Sequence, residues 1–434
     1  MDAVQVALIL FLIVGFLLVI GTPISVAIGV GSVVAMASIL DLDKSLLTST
    51  QRIFTGINTF SLLAIPFFIL AGVIMNNGGI AIRLVNCAKV LTGRLPGSLA
   101  HTNVVANMLF GSISGSAVAS SAAVGGTMAP LQEREGYKRE FSAAVNIASA
   151  PAGMLIPPSN TLIVYALVSG GTSIAALFMA GYVPGLLWGL GCMVVAYFIA
   201  KKHGYKSDQK ITFLQGLRVF LDAIPSLLLV VIVIGGIIRG IFTATEGSAI
   251  AVVYALLLSF IYRTIKIKDL PKILLDSTRT TAIVIFMIGV SSIMSWVMAF
   301  TNIPGMIAAT LLSLSENPIM ILLIMNLVLL VIGTFMDPTP AVLIFTPIFL
   351  PIAMNLGIDP VHFGIIIVFN LCIGTITPPV GPVLFVGSKV ANLKIESVVK
   401  PLLPFYGITV IILLVVTFYP EISLAIPKLL GLVK

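Results

Sequence analysis

Gly374-Thr375-Ile376-Thr377-Pro378-Pro379-Val380-Gly381-Pro382 interrupts one apolar run, and Ile156-Pro157-Pro158-Ser159-Asn160-Thr161 interrupts another 221 positions earlier. Two successive prolines remove two backbone donors and disturb the preceding turn. A helix reaching either site must stop, unwind and restart. Unwound backbone at membrane depth is tolerated only where it is buried in protein or lines a cavity. Paired breaks of this kind are the sequence pointer to a secondary transporter with its site near the midplane.

The same shift of 221 lays Pro130 on Pro351 and Gly136 on Gly357. A shift of 222 lays Pro23-Ile24-Ser25-Val26-Ala27-Ile28 on Thr245-Glu246-Gly247-Ser248-Ala249-Ile250. The matches fall on helix breakers, in order, at nearly constant offset, which reads as an internal repeat. The polar stretch that opens Lys201-Lys202-His203-Gly204 supplies the linker. The expected organisation is a first repeat over 1–200, a linker over 201–216 and a second repeat over 217–434.

Composition sets the environment. Of 434 residues, 59% are apolar and 9% charged, and the mean hydropathy is +1.16. Soluble domains carry roughly 25% charged residues. Residues 3–40, 95–132 and 280–315 contain no Asp, Glu, Lys or Arg, and ~20 mostly apolar residues span a bilayer core. The chain reads as an all-α polytopic membrane protein, which excludes a soluble enzyme. Three cysteines (Cys87, Cys192, Cys372) and three histidines (His101, His203, His362) are dispersed without metal-ligand spacing. They read as buried packing residues and not as a transition-metal site. The N-terminus lacks the basic region of a secretory signal and reads as a retained first span.

Each half parses alike. The first has spans near 3–20, 23–40 and 61–78, a surface-type stretch 80–92, two short pieces (96–112 and 117–131), a helix broken at 157–160 and a span near 173–200. The second has spans near 219–240, 243–262 and 281–300, a stretch 304–315, short pieces at 317–335 and 339–355, a break at 375–381 and a last span from 402. If the short pieces pair as re-entrant hairpins, over about 96–131 and 317–355, each half crosses five times. An odd count inverts the second repeat. Placing the linker inside puts nineteen of the 24 lysines and arginines inside and leaves Lys44, Arg52, Arg239, Lys428 and Lys434 outside. Both termini are then outside. The net charge of +8 serves orientation and not a nucleic-acid partner. Segments 44–54 and 265–275 mix charge with apolar residues, as helices lying against membrane lipid do. Connecting loops remain the alternative.

The hairpin tips carry the chemistry. The first reads Gly111-Ser112-Ile113-Ser114-Gly115-Ser116, where small residues allow a tight turn and hydroxyls offer hard oxygen ligands; plain close packing is the alternative. The second reads Gly333-Thr334-Phe335-Met336-Asp337-Pro338-Thr339-Pro340, and Asp337 is the only carboxylate between Glu316 and Asp359. A carboxylate at the bilayer centre costs ~2.5–3.5 kcal/mol on insertion scales, so a functional role is the default. A helix cap is the compatible alternative. Hydroxyl, amide, carboxylate and carbonyl oxygens without soft donors favour a hard cation. Sodium suits them better than a proton, since one carboxylate is available and no His or Glu chain crosses the core. Without a nucleotide-binding motif, the energy must come from a gradient. Two Na⁺ entering with a monoanion gain ~2.3 kcal/mol per 100 mV.

The Gly-Ser-Ile-Ser-Gly-Ser tip, the Ile-Pro-Pro-Ser break, the Met-Asp-Pro-Thr-Pro tip and the Thr-Pro-Pro-Val-Gly break together resemble the large membrane subunit of tripartite ATP-independent periplasmic (TRAP) transporters. The resemblance covers essentially the whole chain. It implies an elevator-type transporter of the bacterial inner membrane, in which hairpins and broken helices move against a scaffold. It also implies two or more coupling Na⁺, a separate small four-helix membrane subunit and a periplasmic substrate-binding protein that delivers an organic acid, with sialic-acid members the nearest in look. Carried over by motif, one sodium site draws on Ser112, Ser114, Pro157, Ser159 and Asn160, and a second on Gly333, Asp337, Thr339, Thr375 and Thr377. The substrate would lie against Gly115, Ser116, Asn160, Thr161, Pro340 and Gly381. A C4-dicarboxylate permease and a standalone sodium–carboxylate symporter are the alternatives. A channel would want a repeated filter sequence, and a membrane enzyme a clustered nucleophile and base; neither pattern occurs.

Overall fold

A computed structural model describes residues 2–93, 95–205, 213–314 and 317–433. Every regular element among them is a helix. The first half contains α1 (Ala3–Val19), α2 (Ile24–Ala37), α3 (Leu42–Ile57), α4 (Ala64–Asn77), α5 (Ile80–Thr92), α6 (Ser98–Ser114), α7 (Ala117–Arg134), α8 (Arg139–Ser149), the single turn α9 (Ala152–Leu155), α10 (Asn160–Val168) and α11 (Ile174–His203). The second contains α12 (Phe213–Ile238), α13 (Ala244–Ile261), α14 (Leu270–Phe300), α15 (Ile303–Leu314), α16 (Pro318–Gly333), α17 (Pro338–Asn355), α18 (Pro360–Ile376), α19 (Pro382–Val390), α20 (Ile395–Phe418) and α21 (Glu421–Leu429).

The local chemistry explains the ends. Gly115 leaves α6 at φ +63°, a left-handed conformation that a Cβ would disfavour, and Ser116 restarts the chain by accepting the Ala119 N–H at 3.2 Å. The turn therefore needs two residues. Asp337 caps α17, with Oδ1 accepting the Thr339 N–H at 3.2 Å, and Pro338 fits the first helical turn, where no donor is missed. The 221-residue spacing recurs in the elements: α7 and α17 are 18 residues each and start and end 221 apart, and α8 and α18, like α11 and α20, start 221 apart. Both Pro–Pro bonds, at Pro157-Pro158 and Pro378-Pro379, are cis.

Hairpin 1 doubles back on itself. Ser120 Oγ reaches Asn107 Oδ1 at 2.7 Å, and Gln132 Nε2 reaches the Leu99 carbonyl at 3.1 Å. The arms therefore run antiparallel about the 115–116 turn. The arms of hairpin 2 diverge, and α16 lies mainly on α18. The broken helices form the core: every residue of α18 from Val361 to Ile376 is buried, as is α8 from Phe141 to Ser149. Arm α6 packs on α9 and arm α16 on α18, while α10 packs on α17 and α19 on α7, so the halves interlock. A second group comprises α1–α4 and α12–α14, and α5 bridges α12 to α6. Arg83 pins that bridge, with Nε 3.1 Å from Asp222 Oδ2 and the guanidinium over the Tyr262 ring.

Among the described residues, seven helices are long and apolar enough to cross a membrane, or eight with the α8–α10 pair, bent by 46°. The remaining expected crossings fall on the shorter apolar helices α1, α2 and α18. Helix α17, read from sequence as a re-entrant arm, also passes the length test. Segment 44–54 lies within α3. Segment 265–275 does not form a helix of its own: a 3-10 turn at Ile267–Asp269 leads directly into α14, which starts eleven residues before the expected span. Its charges crowd the first turns of a long apolar helix, where their stems can lie along apolar surface. Linker residues 206–212 and the basic residues Arg94, Lys206, Lys210 and Lys434 lie outside the described residues.

Candidate ion and substrate cavity

A cavity of about 490 Å³ lies where the two hairpin tips meet the two broken helices. Its inner wall takes Ser114, Gly115 and Ser116 from the first tip and Asn160 from the first break. From the second half come Asp337, Thr339 and Pro340 at the tip and Thr375 at the break. The outer wall belongs to α4 and α14 and is mostly apolar, with Ile65, Ile69, Val73 and Ile283 interrupted by Asn76 and Thr280. No lysine or arginine is among the lining residues.

Five pairs of lining residues sit 221 apart: Ser116 and Asp337, Ala117 and Pro338, Val118 and Thr339, Ala119 and Pro340, Met154 and Thr375. The walls are built alike but differ in chemistry. On the first-half side, α7 and α10 both begin at the cavity, and helix N-termini carry partial positive charge that favours anions. Asn160 adds an amide there; a Cβ on Gly115 would stand 2.6 Å from its Nδ2. On the other side Asp337 contributes a carboxylate. The unwound end of α18 turns two carbonyls, Thr375 O and Thr377 O, toward the Cα of Gly381, whose φ is +48°. The Gly381 N–H donates to Thr334 O at 3.0 Å, tying that break to the second tip. Helices α17 and α19 also begin at the cavity on this side, so what distinguishes the two walls is the Asp337 carboxylate on one and the Asn160 amide on the other.

Eight of the sequence-predicted site residues therefore meet in one wall. Ser112, Pro157, Ser159, Thr161, Gly333, Thr377 and Gly381 stand behind it. Ser112 Oγ donates to Leu109 O at 2.9 Å, Thr377 Oγ1 to Ile373 O at 2.8 Å, and Ser159 caps α10. Thr161 is buried with its hydroxyl unpartnered. Gly333 lies against Gly374, and Gly111 against Gly153, so close that a side chain on any of the four would meet backbone. Sequence reasoning missed Asn76, Met154 and Thr280, and only the polar Asn76-Asn77 pair ending an apolar helix signals one of them. All three cysteines are free and buried. His101 and His362 are buried and hydrogen-bonded.

The whole chain has a family match. Residues 9–422 fit the family described as "Tripartite ATP-independent periplasmic transporter, DctM component". The chain belongs to that family. It is thus a component of a multi-pass membrane transporter and not an enzyme. Among curated relatives, the uncharacterized protein YgiK of Salmonella typhimurium is 56% identical, over 97% of both chains. The sialic acid TRAP transporter large permease protein SiaM of Vibrio cholerae is 40% identical, over 88% of this chain and 89% of its own. Other relatives at comparable identity are named for C4-dicarboxylate, isethionate and 2,3-diketo-L-gulonate. The crystal structure of the Alcanivorax borkumensis YdaH transporter is similar in fold, with a TM-score of 0.61 at 15% identity over 90% of this chain and 89% of that one.

Proposed function

We propose that this DctM-family chain is the large permease of a Na⁺-coupled importer of an organic acid in a bacterial inner membrane. The observation that carries this reading is the cavity between the two hairpin tips and breaks, lined by helix N-termini and hydroxyls from both halves, with Asp337 on one wall and Asn160 on the other. Sodium ions would sit on the Asp337 side and behind Ser114. The substrate carboxylate would sit at Ser116 and Asn160, with bound sodium as its counter-charge. The 221-residue register of elements and lining residues supports two inverted repeats, with both termini periplasmic. The division into an interlocked inner group and an outer group supports an elevator in which the cavity moves with the inner group. A small four-helix membrane subunit and a periplasmic binding protein would complete the tripartite system.

Sialic acid is the substrate this reading favours. A lining of hydroxyls and amides without Lys or Arg suits a polyhydroxy monoanion. A C4-dicarboxylate would bring a second carboxylate into a cavity that already holds Asp337, and like charges repel.

The test is Asp337→Asn in proteoliposomes holding the complete transporter. Asn caps a helix about as well as Asp, so the fold should persist. Loss of a charged ligand, worth ~1.5–3 kcal/mol, should raise the half-saturating Na⁺ roughly tenfold to a hundredfold or abolish uptake. A folded variant with unchanged sodium dependence would leave Asp337 as a cap alone.

A further inference from the structure

About two helical turns below the tip of hairpin 1, six polar side chains are shut away from solvent. They are Asn103 and Asn107 of α6, Ser120 and Ser121 of α7, and Asn146 and Ser149 of α8. Asn107 is their centre. Its Nδ2 lies 2.8 Å from Ser149 Oγ, 2.9 Å from Asn103 Oδ1, 3.1 Å from Asn146 Oδ1 and 3.2 Å from Asn146 O. Its Oδ1 accepts from Ser120 Oγ at 2.7 Å. Asn146 Nδ2 donates in turn to Ser121 O at 2.9 Å and Ser121 Oγ at 3.0 Å. The amide orientation follows from chemistry: reversed, the Asn107 oxygen would face the Asn146 main-chain carbonyl, which has no proton to give. The Asn103 Nδ2 alone among the hub's amide atoms is buried without a partner; the groups that do satisfy one another favour one arrangement of the elements carrying them, because breaking such a link strands a desolvated partner.

The second half has a buried cluster too, but it ties different elements. Asn370 Nδ2 of α18 donates to Asn326 Oδ1 of α16 at 2.6 Å, and Asn326 Nδ2 reaches Thr417 Oγ1 of α20 at 3.2 Å. No residue of α17 takes part, and among the described residues no side-chain hydrogen bond joins α17 to α16. One hub therefore locks both arms of its hairpin to a broken helix, while the other locks a single arm.

We propose that Asn107 and Asn146 are positioning residues for the cavity. Their hub fixes α6, α7 and α8 as one body and so sets where Ser114, Gly115 and Ser116 stand relative to Asn160. The inference rests on the cavity being the transport site. Neither asparagine lines the cavity, so neither is a ligand.

The test uses the thiol of Ala119→Cys, on the cavity wall, as a reporter in the full purified chain, where the native cysteines are buried. Ser120→Ala removes the cross-arm bond alone, and Asn107→Ala empties the hub. Each should change the maleimide labelling rate at position 119 by about fivefold, the factor one net hydrogen bond represents. Asn107→Asp should act more strongly than Asn107→Ala, since it puts an acceptor among acceptors. Asn326→Ala, in the other cluster, should stay within about twofold. Should Asn107→Ala fail to fold, Ser120→Ala carries the comparison. In the reconstituted transporter, Ser120→Ala should raise the half-saturating Na⁺ and substrate concentrations. Unchanged labelling and half-saturation in folded Ser120→Ala, with only a lower melting temperature, would overturn the proposal. A wild-type transporter indifferent to Na⁺ would instead sink the sodium reading, while the labelling comparison would still decide the hub's role.

Discussion

Gly153→Ala and Gly374→Ala probe the place where each hairpin arm crosses its broken helix. A Cβ on Gly153 would stand 2.7 Å from the Ser112 nitrogen, and one on Gly374 would stand 2.6 Å from the Gly333 oxygen. Gly111 Cα and the Gly333 carbonyl carbon lie closer still and ordinary contact begins near 3.4 Å, so the backbones must part by about 1 Å. Neither obstacle can rotate aside, because both are main chain. Overpacking of this kind costs about 1–3 kcal/mol. The functional cost should be larger. The displaced arm carries the tip that lines the cavity, and binding constellations tolerate only ~0.5 Å of error. Gly126→Ala is the control, since a Cβ there meets nothing within 4 Å, and it should gain up to ~1 kcal/mol from helix propensity. Thermal unfolding in detergent and uptake by reconstituted transporter should rank the variants in that order. Wild-type melting and uptake in Gly153→Ala would refute the close crossing, and with it the register of tip against break.

Gly115→Ala combines a φ of +63° with a contact 2.6 Å from Asn160 Nδ2. It should weaken substrate half-saturation in uptake assays by several-fold, the left-handed conformation alone costing roughly 1–2 kcal/mol; unchanged substrate dependence would remove Asn160 from the site. For topology, Thr50→Cys and Ser397→Cys place thiols at exposed positions. An impermeant reagent applied to intact spheroplasts should label position 50, and position 397 only after permeabilisation; the reverse pattern would invert the proposed orientation.

Breaks and tips were legible because proline and glycine act locally. The second arm of hairpin 2 was expected over 339–355 and occupies Pro338–Asn355, and the first hairpin was expected at 96–112 and 117–131 against Ser98–Ser114 and Ala117–Arg134. Hydroxyl direction was not legible. Ser112 and Thr377 have the ligand chemistry the sequence suggested, yet their hydroxyls turn back to carbonyls three and four residues earlier, a habit of serine and threonine in helices. The Asn107 hub was equally hidden, because Asn146 meets it from 39 residues away and no local pattern encodes which buried amide faces which. The start of α14 escapes the sequence because Lys266, Lys268, Asp269 and Lys272 look like an interfacial segment when read without the helix that continues beyond them.

On the proposed reading of two repeats, the cavity's geometry is supplied twice while its chemistry has diverged between the copies. Ser116 and Asp337 perform the same backbone task, capping the second arm of a hairpin, so the fold does not require either to be charged. Two aspartates there would bring two carboxylates into one 490 Å³ space, and their repulsion would favour protonation of one. Two serines would leave the cation without a counter-charge and the substrate anion without a bound cation beside it. Asn160, whose counterpart 221 residues on is Gly381, places a donor on the side without the carboxylate, and Thr375, whose counterpart is Met154, places an oxygen on the side with it. On that reading three substitutions between matched positions polarise the cavity, and coupling would draw on that polarity, because a cation and an anion bound side by side each lower the cost of desolvating the other.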